Sequence, residues 1–400
     1  MSVTNSMGRG TPGDGPLSGL LVVDLSRALA GPHATMVLGD MGAEVIKVEP
    51  PGTGDDTRSW GPPFVGPADE PQSTYFLSAN RNKRSIQLNL KDGDDRQVLR
   101  KLLERADVLV ENYRPGVLDR LGFSMAAMEA LNPGLVVLSI TGFGHDGPEG
   151  SRPGYDQIAQ GEAGLMSVTG PDEDNPTRIG VPIGDILAGL NGTIGVLAAL
   201  TERARTGRGK VVRTSLLASI VGAHAFQGTR WTVAGEVGSP TGNHHPQIAP
   251  YGTFRCEDGF VQIAVGSAGQ WRGFAPLIGL NSDDLRFATN ALRMSNHGEL
   301  TEVIEAALTQ QPRSFWLKLF ADSGVPAGAI RKIDEVYDWE QTRSQGLLIS
   351  VDHPSLGHID LPGPAVRFAT LDGTEVGRTT HTPPPRLNEH APAIRASVDA

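Results

Sequence analysis

The short apolar run Leu20-Leu21-Val22-Val23-Asp24 is followed by a helical period and then a second run, Val45-Ile46-Lys47-Val48. This β-α-β opening constrains the fold more than any other feature of the chain. Two strands joined by a helix lie parallel, and the helix must cross over the face of the sheet. Between them Arg27-Ala28-Leu29-Ala30-Gly31 reads as a turn. Pro32 suits the first helical position, where its missing N–H is no loss, and Gly42 suits the C-cap. The alternation recurs: residues 94–105 read as an amphipathic helix, 108–110 and 135–140 as strands, and 183–200 as a Gly/Ala-rich helix buried on most sides. The expected fold is α/β, an open doubly wound (Rossmann-like) parallel sheet over residues 17–221, after a disordered lead-in over 1–16.

Past residue 221 the pattern changes. Residues 222–245 read as a linker dense in Gly, Pro and His. Two apolar alternating runs then flank the Glu257-Asp258-Gly259 turn, as in an antiparallel pair. Helical stretches over 270–278, 299–309 and 314–323 complete a smaller α+β domain spanning 246–330. Residues 331–400 read as a linker and a C-terminal return to the large domain.

Several function classes lose weight. With 35 Lys+Arg against 45 Asp+Glu, the formal charge of −10 disfavours nucleic acid or an anionic membrane as partner. Cys256 is the single cysteine, so neither an intrachain disulfide nor a cysteine metal cluster is possible. The polar, Gly-rich start carries no apolar core of a secretory signal. The most apolar stretch, 186–200, is interrupted by Asn191 and Thr193 and reads as too short to span a bilayer. A cytoplasmic location is expected. No Walker-type Gly-Lys-Ser/Thr occurs, since Lys210 is followed by Val211. The first β-α turn has one glycine rather than the spaced three of a dinucleotide site. The histidines lack metal-ligand spacing. Gly266-Ser267-Ala268-Gly269 lacks the first glycine of a nucleophile elbow, because Val265 stands there.

What remains is a positive segment and one acid. Residues 81–120 hold ten Lys/Arg against seven acids in a chain that is acidic overall. Arg96, Arg100, Lys101 and Arg105 share an amphipathic helix and read as its solvated face. Lys91, Arg114 and Arg120 fall at strand or loop edges, where a rigid sheet can present them to phosphate. Asp185 follows the apolar segment 179–183 and opens the Gly/Ala-rich helix. There it is either an ordinary N-cap or a carboxylate kept ionised by free N–H groups and the helix dipole.

Taken together in order, several stretches resemble the class III coenzyme A transferase (CaiB/BaiF) family over about residues 16–370. They are Asp24-Leu25-Ser26-Arg27-Ala28-Leu29-Ala30-Gly31-Pro32, Gly42-Ala43-Glu44-Val45-Ile46-Lys47-Val48-Glu49, Gly54-Asp55-Asp56-Thr57-Arg58, Asn82-Lys83-Arg84-Ser85-Ile86 and Glu111-Asn112-Tyr113-Arg114-Pro115-Gly116. Tyr155-Asp156, Gly184-Asp185 and Thr206-Gly207-Arg208-Gly209-Lys210 follow. The resemblance implies an interlaced homodimer acting on an acyl-CoA and a small carboxylic acid, with no tightly bound cofactor. It implies CoA contacts at Leu29, Ala30, Leu88 to Lys91, Asn112, Tyr113, Arg114 and Arg120, with Arg152 and Tyr155 over the thioester end. Relatives often carry an arginine where Pro50 stands, and Arg58 is expected to supply that charge. Asp185 is the implied nucleophile, forming an aspartyl anhydride and then an aspartyl-CoA thioester, and the 266–269 loop is the candidate lid. A related branch, the 2-methylacyl-CoA racemases, places His-Asp where this chain has Tyr155-Asp156. A phenol of pKa ~10 is a poor base at neutral pH, so racemase is the alternative. A CoA-ester binding protein with a degenerate site is a third reading.

Overall fold

A computed structural model describes residues 15–150 and 152–399. Residues 1–14, most of the expected lead-in, and Ser151 lie outside the described residues. The chain divides into two compact units: residues 15–165, 179–235 and 340–399 form one, and 166–178 and 236–339 the other.

The first unit is built on six strands: β1 (Leu21–Asp24), β2 (Glu44–Glu49), β3 (Lys83–Gln87), β4 (Val108–Glu111), β5 (Val136–Thr141) and β6 (Val211–Ser215). They form one sheet in the order β3-β2-β1-β4-β5-β6, with every pairing parallel. The order reverses between β1 and β4. Such a switch point leaves a crevice at the carboxyl ends of the strands. Side chains alternate between the two faces, and both faces are covered over the central strands β1, β4 and β5, which therefore read as mostly apolar runs. Val23, Ile46 and Leu109 pack with Leu99, Leu102 and Leu103 of α2 (Gly93–Arg105). Val22, Val45 and Val110 pack on the opposite face with Ala34 and Leu38 of α1 (Ala30–Asp40).

Further along come α3 (Asp156–Glu162), α4 (Ile183–Thr206), α5 (Leu216–Gly222) and α6 (Ala225–Ala234). Helix α4 is longer than the sequence suggests. Its 24 residues are enough, by length and composition, to cross a membrane. Here it lies against the sheet and α1 through Ala188, Gly189, Gly192, Val196 and Ala199, while Leu190 and Ile194 on its other side are exposed. A side-chain carbon at Gly189 would meet the Ala30 carbonyl oxygen at 2.7 Å, so glycine is what lets α4 touch the start of α1. The stretch expected to be a linker over 222–245 begins with α6, in the first unit.

In the second unit, β7 (Tyr251–Cys256) and β8 (Gly259–Ala264) form the expected antiparallel hairpin, and β9 (Ala327–Ala329) pairs with β8. Helices α7 (Ala268–Phe274), α8 (His297–Leu308) and α9 (Arg313–Asp322) close a core around Trp271, Phe274, Ile304 and Phe320. This is an α+β arrangement. The 266–269 loop starts α7: Ser267 and Gln270 form a reciprocal capping box.

The chain then returns to the first unit through the hairpin β10 (Leu348–His353) and β11 (Gly357–Pro362) and ends in α10 (Ala391–Asp399). Along the way it covers the edge strand β3: Asn82 N–H donates to the Thr382 carbonyl at 3.1 Å, and His390 N–H to the Ser85 carbonyl at 3.0 Å. An edge so occupied cannot pair with another chain. Ile394 of α10 is fully buried in the core.

Candidate active site

A cavity of about 350 Å³ opens at the carboxyl ends of β2, β3 and β4, lined by Arg27, Glu49, Leu88, Lys91, Tyr113 and Arg120 with their neighbours. Local bonds fix its rim. The Asn112 side chain exchanges two hydrogen bonds with the Arg27 backbone, accepting its N–H at 2.9 Å and donating to its carbonyl at 2.7 Å. This joins the turns after β1 and β4 across the switch point. Arg96 donates to the carbonyls of Leu90 (3.2 Å) and Lys91 (2.9 Å). It therefore holds the loop after β3, whereas the sequence placed it on a solvated face. Arg27 sits over the Tyr113 ring, 5.3 Å from its centroid. Among the described residues no acid pairs with Arg27, Lys91 or Arg120, so the wall is positive.

Its one acid, Glu49, is already neutralised. Arg58 grips it with two 2.7 Å bonds, donates to the Pro385 carbonyl and lies 3.7 Å over the Phe76 ring. Arg58 is thus engaged by Glu49, the acid that precedes Pro50. Beneath the cavity runs a buried charge network. Lys47 pairs with Asp55 at 2.8 Å and donates to the Ser26 carbonyl, while Lys83 pairs with Asp24 at 3.1 Å and donates to the Pro32 carbonyl. Two lysines rising from β2 and β3 therefore pin both ends of the turn that carries Arg27, Leu29 and Ala30. Burial would raise Asp24, but Lys47 and Lys83, with the hydroxyls of Ser26 and Thr35, hold it at about 2. Burial brings Lys83 down to about 8, against the pull of Asp24 and helped by the charge of Lys47.

Asp185 lies in the first turn of α4, one turn before Gly189, which packs against the Ala30 carbonyl. It is half-buried, and among the described residues only burial and the Asp156 charge act on its carboxylate, with no donor and no cation. The helix N-terminus was expected to hold it. Instead the N–H groups of Gly184 and Asp185 donate to Asp156 Oδ1 at 2.7 and 3.2 Å. Burial first, and the Asp156 charge second, push the Asp185 carboxyl up to about 7. Tyr75, packed edge-on against Trp60, feels the same pair: burial, then Asp185 and Asp156, raise its phenol to about 12.

Comparison with known proteins gives one answer over the whole chain. The profile described as CoA-transferase family III matches residues 17–391. A succinyl-CoA:glutarate CoA-transferase from Mus musculus is 40% identical over 385 residues, covering 96% of this chain and 86% of that protein. An acetyl-CoA:oxalate CoA-transferase from Acetobacter aceti is 38% identical over 391 residues, 96% of each. The crystal structure of a CaiB/BaiF family protein from Brucella suis superposes with a TM-score of 0.86 at 40% identity, covering 96% of this chain and all of that one.

The chain belongs to CoA-transferase family III.

Enzymes of this family move CoA between thioesters and acids. In this member the residues expected at the CoA site divide into three groups. Leu88, Lys91, Tyr113 and Arg120 line the cavity; Leu29, Ala30 and Asn112 shape the turns that frame it; Arg114 is exposed outside its wall. Arg152 is paired with Glu149 and Glu162 and lies over the Phe143 ring. Tyr155 is 65% exposed. His145, the histidine nearest to it in sequence, bonds Ser139 through Nε2 at 2.8 Å. Among the described residues no group of three or more His, Cys, Asp or Glu is placed to hold a metal. Arg27, Tyr75 and the partnership of Asp156 with Asp185 were not picked out from the sequence. Arg27 had a signal, a cation in the first β-α turn; Tyr75 had none.

Proposed function

We propose that this enzyme transfers CoA from an acyl-CoA thioester to a small dicarboxylic acid, with Asp185 as nucleophile. The observation that carries the reading is a carboxylate at a helix start with no donor and no counter-ion among the described residues. A carboxylate so poorly stabilised is a better nucleophile than a solvated one. It attacks the thioester carbonyl, the C–S bond breaks with its electron pair on the CoA thiolate, and an aspartyl anhydride remains. The thiolate then attacks the aspartyl carbonyl, releasing the donor acid and leaving an aspartyl-CoA thioester. The acceptor carboxylate repeats the first step on that thioester, and the returning thiolate takes the acceptor acyl group, restoring Asp185. No net proton is consumed. The positive cavity, with Arg27, Lys91 and Arg120, suits the phosphates of CoA. A dicarboxylic acceptor is inferred from the relatives, which are named for glutarate and oxalate. Exposed apolar side chains on α4 and α6, among them Ile194, Trp231 and Val233, fit burial by a second copy, in keeping with the homodimer that the resemblance implies.

The test is CoA exchange between succinyl-CoA or acetyl-CoA and a panel of mono- and dicarboxylic acids, with wild type and Asp185→Ala. Wild type should exchange with dicarboxylic acids, and the variant should lose at least about a thousandfold, as expected when a covalent nucleophile is removed. Retained exchange in the variant removes Asp185 from the mechanism; exchange confined to monocarboxylic acids overturns the acceptor class.

A further inference from the structure

The pairs Tyr155-Asp156 and Gly184-Asp185 stand 29 residues apart, and one carboxylate joins them. Asp156 Oδ1 takes the N–H groups of Gly184 and Asp185, which open α4. Its Oδ2 accepts from Gln160 Nε2 at 2.6 Å, and Gln160 Oε1 accepts the Ile179 N–H at 2.9 Å. Gln160 is fully buried. Helix α3 thereby holds both ends of residues 179–185 through two side chains one turn apart. The approach depends on Gly184: a side-chain carbon there would lie 3.0 Å from both Asp156 Oδ1 and Ile220 Cδ1. The glycine of the Gly-Asp pair is thus the gap through which Asp156 reaches the helix start.

This arrangement has a chemical consequence for the neighbouring acid. Free N–H groups at a helix start stabilise a carboxylate, and two carboxylates side by side destabilise each other. Asp156 takes the donors and adds the like charge. We propose that Asp156 is the positioning residue of Asp185, denying its carboxylate the stabilisation of the helix N-terminus and so keeping it reactive. The proposal rests on Asp185 being the nucleophile.

The other titratable groups around Asp185 are few. Tyr75 faces the carboxyl pair, and Asp55 acts on Tyr75 in turn. From α1, His33 lies against Gly189 one turn along α4; burial, with Arg81 and Lys83, lowers its pKa against the pull of Asp40. Helix α5, which supplies Ile220, has no titratable side chain.

Three variants separate the parts. Asp156→Asn keeps an oxygen for the two N–H groups and removes the charge, Asp156→Ala removes both, and Gly184→Ala pushes Asp156 away. The readout is the pH profile of kcat/KM for CoA exchange, together with a carbon-13 NMR titration of the Asp185 carboxyl in aspartate-labelled protein. In wild type both should turn near pH 7. In Asp156→Asn both should turn at least about one pH unit lower, the size expected on removing one adjacent like charge. Asp156→Ala and Gly184→Ala should lower kcat about tenfold or more with KM for the acyl-CoA held within about twofold, as for a lost transition-state interaction. If Asp156→Asn leaves both titrations where they are, the proposal is wrong. Hydroxylamine trapping at Asp185 keeps this failure separate from that of the nucleophile: trapping in wild type with unmoved titrations sinks only the role of Asp156, whereas no trapping in wild type sinks both.

Discussion

Asp24 at the end of β1 and Asp185 at the start of α4 are the same side chain in opposite surroundings. Asp24 is fully buried, yet two lysines and two hydroxyls surround it and its carboxyl titrates at about 2. Asp185 is less buried, yet the one charge that acts on it among the described residues is another acid, and its carboxyl rises to about 7. Burial alone therefore does not decide which acid is reactive; the partners do. Around Asp24 the charges are used up in holding a turn. Around Asp185 one charge is left over, as in other sites where two carboxylates are pushed to separate acid and base roles.

The sharpest way to break this contrast is to strip a partner from the paired side. Lys47→Met leaves Asp55 and part of Asp24 uncompensated in a dry interior. The expected cost is about 3–5 kcal/mol, read as a lower urea midpoint. A change below about 1 kcal/mol would mean that the network is hydrated and the contrast false.

The cations of the cavity wall have no acid to lose. Arg27→Ala should raise KM for the acyl-CoA about tenfold with kcat nearly unchanged, the loss of one charge-assisted contact. The effect should shrink as salt is added. Arg58→Ala should instead act on stability, because its guanidinium serves Glu49.

The effect of Asp185 itself is the most specific. The folded-state pKa of Asp185, about 7, lies above its ordinary value of 3.8. The folded chain therefore binds more protons than the unfolded chain between those values, and this residue costs stability as pH rises through that window. Asp185→Asn removes the cost. The variant should be more stable than wild type at pH 8 by up to about 4 kcal/mol, with the gap closing as pH falls through 7 towards 4. A gap that persists at pH 4 would point to a packing effect.

The central strands of the first sheet were legible because both faces are buried, which leaves apolar runs such as Val22-Val23 and Val108-Leu109-Val110. Strand β3 was legible only as a motif. It opens with Lys83-Arg84, and nothing local says that Lys83 is buried against Asp24, 59 residues away. Helix α6 read as linker because none of its residues is fully buried, so it has no apolar stripe to show. Helix α4 was cut short at Leu200, where apolar residues stop although the helix continues through a polar turn to Thr206. At the site, Asp185 stood out through its motif. The commitments of Arg58 to Glu49, and of Asp156 to the start of α4, depend on which strand ends and helix ends the fold brings together. No spacing rule encodes that.

Trapping the covalent intermediate tests the central claim most directly. The protein is mixed with an acyl-CoA near pH 7, quenched during turnover, digested, and the peptide holding Asp185 is weighed before and after hydroxylamine. A CoA thioester on that aspartate, converted by hydroxylamine to the hydroxamate, is the predicted result. Steady exchange with that peptide always at its unmodified mass would contradict the account.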